Sequence, residues 1–317
     1  MNRRHFLRST SLATAGLATA SSSLPPSASA AAPYPIIDTH VHFYDPKRAG
    51  GVPWPPQNSP LYRTVLPDDW AKLAAPHGVT ATVVVEASPL VEDNQWILDI
   101  ASEDKRIVGL VGNLDPMAAE FAANIKRFVV NPLFCGIRNR RPNAELPDLV
   151  GQPQFIKSMQ LMADKGLELD VNGPMDSQGE ATAKLAETIS DLRIVINHLG
   201  ASGDPKSLRP GWKEGIKRAS ENLNVYCKVS ALVEQTKAEY GKAPKDTAYY
   251  LPILDHLWEC FGEDRLIYGS NWPVSDKGAG YDVVFRIVKE YFTSKGEDAA
   301  RKYFYRNSEK AYRWVAR

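Results

Sequence analysis

Eight short runs rich in Val and Ile, each bounded by Gly, Pro or Asn, recur along this chain with longer helical patterns between them. That alternation restricts a chain to a parallel sheet covered by helices, because parallel neighbours need a long crossover connection. The strands read as Pro35–Ile37 leading into Asp38-Thr39-His40, then Thr80–Ala87, Arg106–Leu114, Leu133–Arg138, Leu167–Val171, Arg193–His198, Asn224–Ser230 and Arg265–Ser270. Val83-Val84-Val85 is apolar throughout, as in a strand buried on both faces. Ala181, Leu185, Ala186 and Ile189 recur at near-helical spacing, as do Ile253, Leu254, Leu257 and Phe261. A last helix over about Ala299–Val315 is expected to cap the barrel. Eight such units predict a (β/α)8 TIM barrel, a single α/β domain over residues 31–317. A doubly wound open sheet would favour a Gly-rich phosphate turn after an early strand, and no G-x-G-x-x-G occurs. The Pro-rich insertion Asp45–Pro67 is long for a loop, and loops of that length often cover active sites.

The first thirty residues have a different character. Arg3-Arg4 is followed by Phe6-Leu7, a weakly apolar Ala/Leu/Thr/Ser run, and Ala28-Ser29-Ala30. These features predict a twin-arginine signal peptide over residues 1–30, cut after Ala30. The expected partner is the twin-arginine export machinery and the expected location is periplasmic or extracellular. Over the whole chain, 38 Lys+Arg against 37 Asp+Glu give a formal charge of +1. A nucleic-acid binder would carry a basic excess. No stretch approaches the ~20 apolar residues of a membrane span. Cys135, Cys227 and Cys260 lie too far apart for zinc-site spacing or a disulfide framework, and read as buried thiols.

In a barrel of this kind, chemistry gathers at the carboxyl ends of the strands. There the chain places His40 and His42 (first strand), Glu86 (second), Arg138 (fourth), Asp170 and Asn172 (fifth), His198 (sixth), Lys228 (seventh) and Asn271 (eighth). Alternate strand residues share a face, so His40 and His42 are expected to converge, with His198 joining them. Neutral imidazoles so placed can hold one divalent metal, and a structural pair of hydrogen-bonded histidines is the plainer alternative. For Arg138 and Lys228 the plainer alternative is a barrel-rim ion pair. His5, His77 and His256 lie away from strand ends and read as bystanders.

Ile36-Ile37-Asp38-Thr39-His40-Val41-His42 resembles the opening of the amidohydrolase superfamily. Phe43-Tyr44-Asp45-Pro46 and Val52-Pro53-Trp54-Pro55 resemble its amidohydrolase-related branch, near the sugar-lactone hydrolases. Cys135-Gly136-Ile137-Arg138, Ile196-Asn197-His198-Leu199-Gly200, Val225–Ser230 and Tyr268-Gly269-Ser270-Asn271-Trp272-Pro273-Val274 agree, so the likeness covers about residues 34–315. It implies a hydrolase acting on a small lactone or related cyclic ester. His40, His42 and His198 would then ligate one divalent metal, zinc, or polarise the carbonyl as in metal-free relatives. Arg138 would bind a carboxylate or hydroxyls of a lactone or sugar acid, with Lys228 and Trp54 positioning it. Glu86 would bind sugar hydroxyls or support a histidine.

Three departures from the family pattern bear on the chemistry. Binuclear relatives carry a bridging Lys or acid on the fourth strand and a His on the fifth; here those strands offer Cys135, Arg138, Asp170 and Asn172, which argues against two metals. The family reads Gly-Ser-Asp-Trp-Pro in the last strand, where the Asp takes a proton from water. Here Asn271 stands in its place, and an amide cannot be that base. A metal-bound water would need the base less, and Asp170 or Asp276 could accept the proton instead. Alternatives from other classes are a non-catalytic carbohydrate-binding barrel and a decarboxylase of the same superfamily.

Overall fold

The computed structural model describes residues 34–138 and 146–317. The expected leader over residues 1–30, with Arg3, Arg4, His5 and the Ala30 cleavage point, lies outside the described residues. Eight strands form one sheet: β1 (Ile36–Val41), β2 (Val79–Val85), β3 (Ile107–Gly112), β4 (Phe134–Arg138), β5 (Glu168–Val171), β6 (Arg193–Ile196), β7 (Val225–Val229) and β8 (Leu266–Tyr268). They are parallel and pair in chain order. The sheet curls until β1 meets β8, where Val41 bridges Trp272 and the Asn271 amide donates to the His40 carbonyl at 2.8 Å. This is the expected (β/α)8 barrel.

The apolar patterning explains the two layers of core. Val83 and Val85 pack inside the barrel with Ile37, Val108, Val111, Cys135, Val195 and Ile267, while Val84 packs outward against the helical ring. A strand with both faces buried must be apolar at every position, as Val83-Val84-Val85 is. The expected terminal helix runs without a break over Glu297–Arg301, a wider-wound stretch Lys302–Arg306, and Asn307–Tyr312. It closes the barrel, since Ala311, Tyr312 and Trp314 join the interior cluster.

The β1–β8 seam has few ladder bonds, and Asp38 reinforces it. Fully buried, its carboxylate accepts from the Ser270 amide (2.8 Å), the Tyr281 hydroxyl (3.0 Å) and the Trp70 indole (3.3 Å). A register irregularity follows Asp38 in β1. Asp38 thereby reaches the helices that carry Trp70 and Tyr281, and His40, two residues on, reaches Lys228.

Cys135 and Cys227 are buried as expected; Cys260 is only partly buried, on the outer helix Leu251–Phe261. His77 packs beside Phe285, and His256 bonds the Lys213 carbonyl, both away from the barrel mouth. The Asp45–Pro67 segment is anchored by a Tyr44–Val65 bridge and by the Arg48–Asp93 ion pair, and it delivers Trp54 to the carboxyl end of the sheet.

Candidate active site

Five of the six non-glycine residues with positive φ among the described residues lie just past β6, β7 and β8: His198, Leu199, Ala201, Ala231 and Asn271. Such backbone costs about 1–3 kcal/mol per residue and persists where surrounding contacts enforce it, which is common at functional sites. Here it surrounds a cavity of about 290 Å³ lined by His42, Trp54, Ala87, Arg138, Asn172, His198, Asn271 and Val274. The ends of β1, β2, β4, β5, β6 and β8 and the Trp54 loop build it, and six sequence-predicted or strand-end polar and aromatic residues meet there.

The three histidines do converge. The His40 ring centroid lies 5.0 Å from that of His42 and 4.5 Å from that of His198. Each is fixed through Nδ1: His42 against the Val85 carbonyl (3.0 Å), His198 against Ser230 Oγ (2.9 Å), and His40 against Lys228 Nζ (3.2 Å). A carbonyl only accepts, so His42 carries its proton on Nδ1 and presents a lone pair at Nε2. Burial and the Lys228 charge hold His40 well below the usual imidazole range, and burial with Arg138 does the same for His198. Both rings are neutral near pH 7.

Lys228 and Asp170 are placed differently from expectation. Neither lines the cavity, and both are fully buried in a 3.0 Å ion pair. Burial pulls the Lys228 pKa down, and the adjacent carboxylate opposes that. Asp170 also accepts from Asn197 Nδ2 and from the Tyr312 hydroxyl, each at 3.0 Å. With both oxygens engaged beneath the histidines, it fixes Lys228 rather than facing water. Gly269, just past β8, makes room for this stack: a Cβ there would come within 2.8 Å of His40 Cβ and 3.2 Å of Lys228 Cδ.

Arg138 lines the cavity but is also half of an ion pair. Its Nε donates to Glu86 Oε1 at 2.7 Å and its Nη2 to the Glu86 carbonyl at 2.8 Å. Glu86, expected to bind hydroxyls or support a histidine, instead neutralises this guanidinium. Asp276 pairs with Arg63 at 3.5 Å, does not line the cavity, and has its pKa raised by burial.

The expected three-histidine metal centre does not fit this donor set. Among the described residues, no group of three or more His, Cys, Asp or Glu side chains is arranged to hold a metal ion. The hydrogen bonding supplies a reason. A lysine ammonium only donates, so His40 Nδ1 accepts from it and the ring proton sits on Nε2, the nitrogen a metal would need. That Nε2 is buried and has no partner among the described residues.

Glu234 is a neighbour that the sequence did not single out. It follows β7 in the turn Val233–Gln235, and its Oε1 accepts from Asn271 Nδ2 at 2.7 Å. Nothing in its spacing marks it, because a loop rather than a strand carries it to Asn271.

Comparison with known proteins places this architecture. The amidohydrolase family pattern matches residues 37–314. An L-fucono-1,5-lactonase of Burkholderia ambifaria is 31% identical over 240 residues, 75% of this chain and 80% of that protein. An L-fucono-1,5-lactonase of Burkholderia multivorans is 26% identical over 273 residues, 84% of this chain and 91% of that protein. A crystal structure of a Burkholderia multivorans amidohydrolase with bound zinc superimposes with a TM-score of 0.80 at 24% identity, covering 89% of this chain and 100% of that one, and shows the shared fold. With its barrel, its strand-end histidines and a family match spanning nearly all the described residues, the chain belongs to the amidohydrolase family and is a hydrolase.

Proposed function

We propose that the protein opens a small, uncharged, sugar-derived lactone by hydrolysis at the barrel mouth. The observation that carries this reading is Arg138 in the cavity wall with Glu86 paired behind it. A guanidinium already neutralised by a carboxylate suits hydroxyl and carbonyl oxygens better than a substrate carboxylate. Of the two options open at the sequence level, hydroxyls or a carboxylate, this favours hydroxyls. The two L-fucono-1,5-lactonase relatives support the substrate class.

The chemistry follows from the tautomers. Water attacks the lactone carbonyl carbon while His42 Nε2 accepts its proton. The oxyanion forms beside Arg138, whose side chain lines the cavity. The ring C–O bond then breaks, and the leaving alkoxide takes the proton from the His42 imidazolium, giving the hydroxy acid. Trp54 covers the apolar face of the sugar ring. Lys228 and Asp170 act at one remove, fixing the His40 tautomer.

A panel of lactones assayed on the mature protein, with and without added zinc, tests the proposal. Turnover of uncharged sugar lactones in preference to carboxylate-bearing ones supports it. Sugar binding without turnover would establish a carbohydrate-binding barrel. The decarboxylase alternative is not favoured, since the curated relatives named above are lactonases. We further infer export through the twin-arginine pathway, supported by Arg3-Arg4 and Ala28-Ser29-Ala30.

A further inference from the structure

Asn271 occupies the last-strand position where a water-activating carboxylate would stand, and it is unusually constrained. Its φ of 61° is left-handed, its amide donates to the His40 carbonyl at 2.8 Å, and its side chain lines the cavity. An amide has a donor end and an acceptor end, so what holds one decides what the other offers. Glu234 holds the donor end through its 2.7 Å bond from Nδ2. Glu234 Oε2 is enclosed and has no partner, and the side chain forms no ion pair among the described residues. Facing it are Asn271, Lys277 and Asp276 from the Val274–Lys277 turn, and Tyr250 from the turn Thr247–Tyr250. The neighbouring Gln235 is occupied elsewhere, with the Gly203 amide and the Ala231 carbonyl.

We propose that Glu234 is a positioning residue for the hydrolytic water: acting through Asn271, it supplies the negative charge that the last strand lacks and commits the amide to offering Oδ1 to the cavity. The water donates one hydrogen bond to Asn271 Oδ1 and turns its other proton toward His42 Nε2. This inference rests on the lactone-hydrolase reading. It also explains how a chain without the last-strand acid can still orient water. Burial raises the Glu234 carboxyl to about 7, against the opposing hydrogen bond from Asn271. Protonation below that point weakens its hold on Nδ2, so the rate should rise with pH through this range.

The test combines kinetics with a spectroscopic readout. In ¹⁵N-labelled protein the Asn271 side-chain NH₂ resonances should titrate near pH 7 in the wild type and not in Glu234→Gln. Glu234→Gln should lower kcat by ~10-fold with KM nearly unchanged, and the acid limb should vanish. Asn271→Asp would set two carboxylates 2.7 Å apart, so one must hold a proton; its rate should fall and its limb move upward. The swap Glu234→Gln with Asn271→Asp restores a donor–acceptor bond of reversed polarity and should recover activity over Asn271→Asp. Wild-type kinetics, pH profile and Asn271 resonances in Glu234→Gln would overturn the proposal. A wild type inactive on every lactone would remove the lactone reading alone. The Asn271 titration would then still decide the pairing, supporting it if present and overturning it if absent.

Discussion

Asp170→Asn is the sharpest probe of the buried layer beneath the histidines. The replacement keeps the side-chain volume but removes the charge opposing Lys228, which has no exposed surface and sits 3.0 Å away. Breaking a buried pair from one side costs about 3–5 kcal/mol. A ceiling comes from the lysine itself: giving up its proton at pH 7 costs about 1.36 × (10.4 − 7), or about 4.6 kcal/mol. At about 2–4 °C per kcal/mol for a domain of this size, the melting temperature should fall by roughly 10 °C. The sign of the pH dependence follows from linkage. In the variant the remaining acid beside Lys228 is Glu168, itself buried and pushed toward its neutral form; folded Lys228 is then held neutral, while the unfolded chain holds that proton up to about pH 10.4. The folded variant therefore binds one proton fewer than folded wild type, and its stability relative to wild type should rise with pH by about 1.4 kcal/mol per unit between about pH 7 and 10. Lys228→Met should cost less, because Asn197 and Tyr312 still donate to Asp170. The double variant should regain much of the loss, since no charge is then stranded. Calorimetry at several pH values reads all of this. A melting temperature for Asp170→Asn within a degree or two of wild type, flat with pH, would refute the picture of a buried, mutually dependent pair.

Three further outcomes are expected. Arg138→Lys keeps the charge but loses the fork that grips Glu86, and should reduce kcat/KM by ~10²-fold; unchanged steady-state kinetics would demote Arg138 to a rim residue. Exhaustive chelation should leave lactone hydrolysis within about twofold of its starting rate, because His40 carries its proton on Nε2; a loss restored by zinc would refute that tautomer. Replacing Arg3 and Arg4 by Lys should strand the precursor in the cytoplasm, and N-terminal sequencing of the exported wild type should begin at Ala31; normal export of the variant would remove the twin-arginine proposal.

The periodicities alone determined the barrel. Runs such as Val83-Val84-Val85 and the helical spacing of Ile253, Leu254, Leu257 and Phe261 are local consequences of burying two strand faces or one helix face, so they survive in a linear reading. The convergence of His40, His42 and His198 was legible for the same reason, since strand ends in a closed barrel share one rim. Hydrogen-bond partners and charge pairing were not legible. Arg138 reads as a substrate clamp until Glu86 is found against it; Lys228 and Asp170 read as rim groups until they prove wholly buried. His40 reads as a metal ligand until Lys228 fixes its proton. Asn271 reads as a lost acid until a loop brings Glu234 beside it from 37 residues away. Residue type and spacing say which groups reach the rim. Which lone pair or proton each one offers depends on what lies within 3 Å of it, and only the closed tertiary structure decides that.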